Sequence, residues 1–221
     1  MDTVNQALRC KSVATTELGL RERKKQRTRQ QIADTARRLF LARGFDDVPV
    51  AEIAREAEVS EATVFNYFPT KEDLVFSRME IFEDELLAAI RDRAESESIV
   101  QAFGGFVLRP RGYLASDDPV ATEGMRATAR LITGSPALLA REREILDRYT
   151  DALAGFLAQE RRTTPDDPEA WVMANALIGV HRALIAYTHR QALAEVPNRR
   201  IARNVVRHGK RALALLEQGL G

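Results

Sequence analysis

Thr63, Asn66, Tyr67 and Lys71 place a methyl-bearing hydroxyl, an amide, a phenol and an ammonium group within nine residues of chain. These groups suit DNA. An asparagine amide can pair with the major-groove edge of adenine, and a threonine methyl can touch the methyl of thymine. A phenolic hydroxyl or an ammonium group can bind phosphate. No competing catalytic set stands out: the sequence has no G-x-S-x-G elbow and no phosphate-binding glycine loop, and His181, His189 and His208 lack metal-ligand spacing. Glu142 and Glu144, among Arg141, Arg143 and Arg148, read as a solvated helix face. Neither a cofactor nor an enzymatic activity is expected.

The elements that must hold those four groups are legible nearby. Ser60 can cap a short helix over residues 61 to 67, Glu61 sits at its positive end, and Val64 and Phe68 share its inward side. Pro69 ends that helix, and Thr70 with Asp73 caps the next, which fixes Lys71 at a helix start. Upstream, Pro49 to Ala57 forms a two-turn helix with Val50, Ile53, Ala54 and Ala57 inward, and only Glu58 and Val59 separate it from Ser60. That spacing is a helix-turn-helix. Ile32, Ala36, Leu39 and Phe40 form a third helical stripe that stops at Gly44, with Phe45 as a plug. Ahead of it, residues 21 to 29 carry a net +5, a basic arm suited to a phosphate backbone.

Residues 27 to 74 resemble the DNA-binding domain of TetR-type regulators. The running pattern R-T-R-x-x-I, A-x-x-L-F, G-F, V-x-x-I-A, V-S-x-x-T-V-F-x-Y-F-P-x-K-x-x-L is matched almost throughout. The resemblance implies a DNA-contact set of Arg27, Thr28, Ser60, Thr63, Phe65, Asn66, Tyr67 and Lys71. Thr63 and Asn66 would face the groove floor, and Lys71 would bind phosphate. Phe65 has two open readings, a brace against the DNA or a side chain closing the three-helix core. Two positions depart from the pattern. Pro49 stands where a phosphate-binding hydroxyl is usual, and Glu58 where the turn commonly carries glycine. If the turn takes positive φ, a non-glycine residue there costs about 1 kcal/mol or more.

With 221 residues, 45% apolar and 29% charged, the chain is expected to fold as a soluble, all-α protein. No unbroken apolar run approaches the ~20 residues that span a bilayer, and no secretory pattern opens the chain, so a cytoplasmic location without membrane contact is expected. The lone Cys10 cannot form an internal disulfide. The expected organisation is a flexible extension over 1–20, a helix-turn-helix domain over 21–70 and a larger helical domain over 71–221. In the larger domain, helices are expected over 71–95, 99–108, 118–133, 137–161, 169–194 and 198–218, which with the three small ones gives the nine-helix plan that the resemblance implies.

The resemblance further implies a homodimer on a palindromic operator and a small-molecule effector. The penultimate helix is apolar on more than one side, so part of it is expected to face a second copy. Ala176, Gly179, Ala183 and Ala186, with Val205 and Leu213 on the last helix, are the dimer candidates. Phe103, Phe106, Tyr113, Met125, Trp171, Asn175 and His181 are the pocket candidates. A fainter similarity over Arg130 to Pro136, Asp147 to Ala154 and Pro168 to Leu184 points to regulators of acyl-coenzyme A or other lipophilic effectors, so a mainly apolar ligand is expected. The alternatives are a dimeric DNA-binding protein governed by a protein partner or by nothing, and a helical enzyme.

Overall fold

A computed structural model describes residues 19–219. Cys10 and nearly all of the expected N-terminal extension lie outside that range. The described residues form nine α-helices and no strand: α1 (Leu20–Arg43), α2 (Val50–Glu56), α3 (Glu61–Tyr67), α4 (Met79–Arg91), α5 (Ile99–Val107), α6 (Pro119–Gly134), α7 (Pro136–Arg161), α8 (Pro168–Leu193) and α9 (Asn198–Gln218). Short 3₁₀ turns occupy Glu72–Leu74 and Gly112–Ala115.

α1 begins at Leu20, so the basic arm is the opening of this helix and does not precede it. The straight-chain residues from Arg21 to Arg27 all favour helix, and once Gly19 is passed nothing interrupts them. Ile32, Ala36, Phe40, Val48, Ile53, Ala57, Val64 and Phe68 close the three-helix core, each at most 1% exposed. Between α2 and α3 the chain turns through Glu58 at φ 55°. A side chain in that left-handed region is strained, and Glu58→Gly is expected to raise unfolding stability by about 1 kcal/mol, read as a shift in urea midpoint at constant slope.

The segment expected as one helix over 71–95 is broken. A 3₁₀ turn spans 72–74, turns follow to 78, and α4 starts only at Met79. One local cap and two remote side chains hold the irregular stretch. The Asp73 carboxylate accepts from the Thr70 amide and hydroxyl at 3.0 and 2.8 Å, and Arg29 Nη2 donates to the Ser77 carbonyl at 3.2 Å. Tyr149 Oη donates to the Met79 carbonyl at 2.5 Å. Tertiary hydrogen bonds thus substitute for the helical ladder.

The remaining boundaries follow local signals. Pro119, Pro136 and Pro168 open α6, α7 and α8 behind Asp118, Ser135 and Asp167, whose side chains cap backbone amides. A reciprocal Ser98–Gln101 box opens α5. α8 lies between α6, α7 and α9. By length and a mean hydropathy of 1.2 it is the one described helix that would suit a membrane, but apolar surface of this kind is also what a helix packed on three sides requires. Gly209 admits Leu108 onto α9, since a Cβ there would fall 2.1 Å from Leu108 Cδ2.

Candidate nucleic-acid interface and effector cavity

Ser60 Oγ accepts from the Thr63 amide at 3.1 Å and lies 2.8 Å from Thr63 Oγ1. The cap therefore engages the Thr63 hydroxyl and leaves its methyl as the group to offer a base. Asn66 is exposed and its side chain makes no hydrogen bond among the described residues, so its amide is available. Phe65 is 46% exposed, too open to close the three-helix core. Tyr67 is half-buried against the core. Lys71 Nζ rests 4.3 Å from the Phe45 ring centroid and 3.5 Å from the Asp46 carbonyl, and burial there pulls its pKa below the usual lysine value. Arg27 is exposed and Thr28 half-buried, both inside α1. Arg21, Arg23, Lys24, Lys25 and Arg27 make no ion pair among the described residues, so the start of α1 is an open cationic face.

The linker between α3 and α4, and α4 itself, are tied to α7 by contacts with no sequence signal. Arg141 on α7 donates through Nε and Nη2 to Asp73 Oδ1 at 2.9 and 2.7 Å, and Arg148 Nε donates to Glu83 Oε2 at 2.8 Å. The expected solvated face on α7 is corrected at these two arginines: they are half-buried and join α7 to the linker and α4, while burial raises the pKa of their neighbour Glu142. Asp73 and Glu83 lie more than 60 residues away in sequence, beyond the reach of any local pattern, while Arg141 also donates to Glu144 at 2.8 Å, a pair that the helix spacing does predict.

In the body, α4, α6, α8, α9 and the chain after α5 line a half-open cavity of about 220 Å³. Phe82, Met125, His181 and Ile185 contribute apolar or aromatic wall, and Thr128, Arg111 and His189 contribute polar groups. Phe82 stacks between His181, at 5.1 Å and 11°, and Tyr149, at 5.6 Å and 19°. Burial, with Arg111 nearby, lowers the His181 pKa to about 4, and burial also lowers that of His189, so both imidazoles favour the neutral form at pH 7.

A histidine whose folded pKa lies below its unfolded value adds stability that is complete above the unfolded pKa and is lost on acidification. For His181 that window runs from pH 6.5 down to about 4. Stability should therefore fall by on the order of 1 kcal/mol or more between pH 7 and 5, and His181→Gln should flatten the part of the loss that this ring causes. Urea midpoints at the two pH values would read it.

The pocket candidates divide. Met125 and His181 line the cavity, and Phe106 stands behind the wall, edge-on to Phe82 at 5.1 Å. Phe103 is fully buried core. Tyr113 packs over Gly124, where a Cβ would fall 2.4 Å from its ring. Trp171 and Asn175 lie apart from the cavity at the exposed start of α8, bonded to the Pro165 and Trp171 carbonyls at 3.2 and 2.8 Å. Phe82, Arg111 and His189 were missed: Phe82 reads as ordinary core, and an arginine between Pro110 and Gly112 reads as loop.

The dimer candidates divide too. Gly179, Ala183 and Ala186 are exposed on α8 and Ala176 is half-buried, in line with Val172 at 68% exposure. Val205 and Leu213 face the other way: Val205 lines the cavity, and Leu213 Cδ1 would sit 2.7 Å from a Cβ on Gly104. Both bury inside the protomer because the outward side of α9 is taken by Arg199, Arg203, Arg207, Lys210 and Arg211.

A capped helix-turn-helix on a larger all-helical body is the architecture of a DNA-binding transcription regulator. The profile described as bacterial regulatory proteins of the tetR family matches residues 32–77, and that of the MftR C-terminal domain matches residues 112–220. The HTH-type transcriptional regulator TcmR of Streptomyces glaucescens is 31% identical over 151 residues, covering 67% of each chain. MftR of Mycobacterium tuberculosis, named for the regulation of mycofactocin biosynthesis, is 29% identical over 178 residues, covering 76% of this chain and 81% of MftR. Among solved structures, NalD of Pseudomonas aeruginosa superposes with a TM-score of 0.53 at 16% identity, covering 85% of this chain and 97% of NalD. FadR of Bacillus subtilis, solved with stearoyl-CoA, gives 0.51 at 20% identity, covering 85% of this chain and 96% of FadR. These two show the fold. The chain belongs to the TetR family, and it is a transcription regulator, not an enzyme.

Proposed function

We propose that the protein represses transcription by binding a palindromic operator as a homodimer, and that a small, mainly apolar effector entering the cavity releases it. Residues 21–70 act as the reading head and 71–221 as the effector-binding and dimerisation body, in the cytoplasm. Thr63, Phe65 and Asn66 face the groove, with Ser60, Tyr67, Lys71, Arg27 and Thr28 at or near the backbone.

One observation carries the ligand-controlled reading. Phe82 in the cavity wall stacks on Tyr149, whose hydroxyl holds the carbonyl of Met79 at the first residue of α4. Two residues earlier, the Ser77 carbonyl is held by Arg29 of α1, whose guanidinium lies 4.6 Å from the Phe68 ring centroid at the end of α3. A molecule that moves Phe82 therefore acts on the joint that sets the angle of the reading head. A filled core would favour control by a protein partner, and the cavity favours a ligand. Release requires that the effector bind the free conformation more tightly than the DNA-bound one.

The test is a fluorescence-anisotropy titration against the DNA upstream of the protein's own gene, at two salt concentrations, followed by release with apolar small molecules. Binding at least 10³-fold tighter than to random DNA, reversed by a compound that also raises the melting temperature, is expected. Equal affinity for random DNA would overturn the proposal.

A further inference from the structure

The charge of the cavity wall is one-sided. Arg109 and Arg111 both border it, His181 and His189 add two imidazoles, and no aspartate or glutamate lines it. Arg111 is the better placed cation. Its guanidinium carbon lies 3.9 Å from the Phe106 ring centroid and 5.7 Å from that of Phe82, and Nη1 donates to the Phe106 carbonyl at 2.6 Å. That bond uses one of five N–H donors. Glu85 acts on the guanidinium electrostatically but forms no ion pair with it, and Arg109 opposes it. A half-buried guanidinium fixed over two rings, with donors to spare and no carboxylate, matches a planar anion that can accept two hydrogen bonds.

Volume sets the scale of the part of the ligand that the cavity holds. A dry cavity of ~150 Å³ accepts benzene. The ~220 Å³ here, half-open to solvent, suits one ring or a short branched chain, with a substituent free to reach the rim. The apolar part would lie against Met125, Ile185 and Val205, and the substituent toward the loop that carries Arg111.

We propose that the effector is a monocarboxylic acid with a body of about one ring, bound as its carboxylate by Arg111, which makes Arg111 the residue that selects acids over their neutral isosteres. This rests on the proposed role of the cavity and narrows the class of ligand.

The test is calorimetric titration of the full chain, without DNA, at pH 7.5. Benzoate, phenylacetate, cyclohexanecarboxylate and hexanoate would each be paired with the matching carboxamide. At least one acid should bind tenfold or more tightly than its amide. Arg111→Gln should erase that preference, Arg111→Lys should keep part of it, and Arg109→Gln, at the exposed rim, should change it less than threefold. Melting curves identify any variant that fails to fold, and the acid-to-amide ratio in the unaltered protein stands without the variants. Equal binding of acid and amide, or a preference surviving in Arg111→Gln, would overturn the assignment to Arg111 while leaving the cavity as an apolar site. Binding of no acid at millimolar concentration would overturn it as well, and the operator titration then reports separately whether the protein is a selective regulator.

Discussion

Replacing Ala183 by glutamate is expected to turn the protein into a folded monomer that has lost at least a hundredfold in operator affinity. The outward line of α8, through Val172, Gly179, Ala183 and Ala186, is apolar and exposed, with Ala176 half-buried in the same line. Helices carrying such residues can approach closely, and a two-fold axis brings a patch against its own copy. A carboxylate at Ala183 would then be buried twice, near its symmetry mate, with no cation to offset its desolvation. The fold should survive, because Ala183 is exposed in the protomer and alanine to glutamate keeps good helix propensity. DNA binding should fail because linkage of two reading heads holds the second at an effective concentration in roughly the millimolar range, and a monomer forfeits that gain. Analytical ultracentrifugation, a melting curve and an operator titration on one sample would decide. A dimer persisting at low micromolar concentration would move the interface off α8.

The second large effect concerns the reading head, where two substitutions should separate sequence choice from phosphate affinity. Asn66→Ala should cost about 1–3 kcal/mol per half-site on the cognate operator and little on random DNA, because only the amide–base bond is lost. Lys71→Ala should weaken all sequences alike and reduce the salt slope by about one per half-site. The position of Lys71 adds a refinement. Its ammonium rests over Phe45, so a phosphate would compete with a cation–π contact, and the affinity lost should be smaller than for a fully solvated lysine. Arginine at position 71 should restore both slope and affinity. Identical effects of the two alanine variants on specific and random DNA would remove Asn66 from base reading.

Much of the architecture was legible because local chemistry dictates it. The Ser60 cap, the stop at Pro69 and the start at Pro136 lie within three or four residues of what they control. The Glu58 turn was legible only through the family pattern, which commonly carries glycine there, and the backbone takes positive φ despite the side chain. Where the expected helix over 71–95 breaks, the cause is remote. Tyr149 and Arg29 bond the Met79 and Ser77 carbonyls from elements 70 and 48 residues away.

The same division separates the two functional sites. By itself the sequence determined the helix-turn-helix, because every contact that builds it falls within some 50 residues and a single exposed face remains to meet DNA. The cavity, the Arg141–Asp73 tie and the inward turn of Val205 and Leu213 were decided only by the tertiary structure. An apolar stripe on a helix such as α8 has the same 3.6-residue period whether it meets core, ligand or a second copy. The packing of α6, α7 and α9 around α8 assigns each side, leaving Leu177 and Ile178 to the core, His181 and Ile185 to the cavity, and Gly179 and Ala183 to the outside.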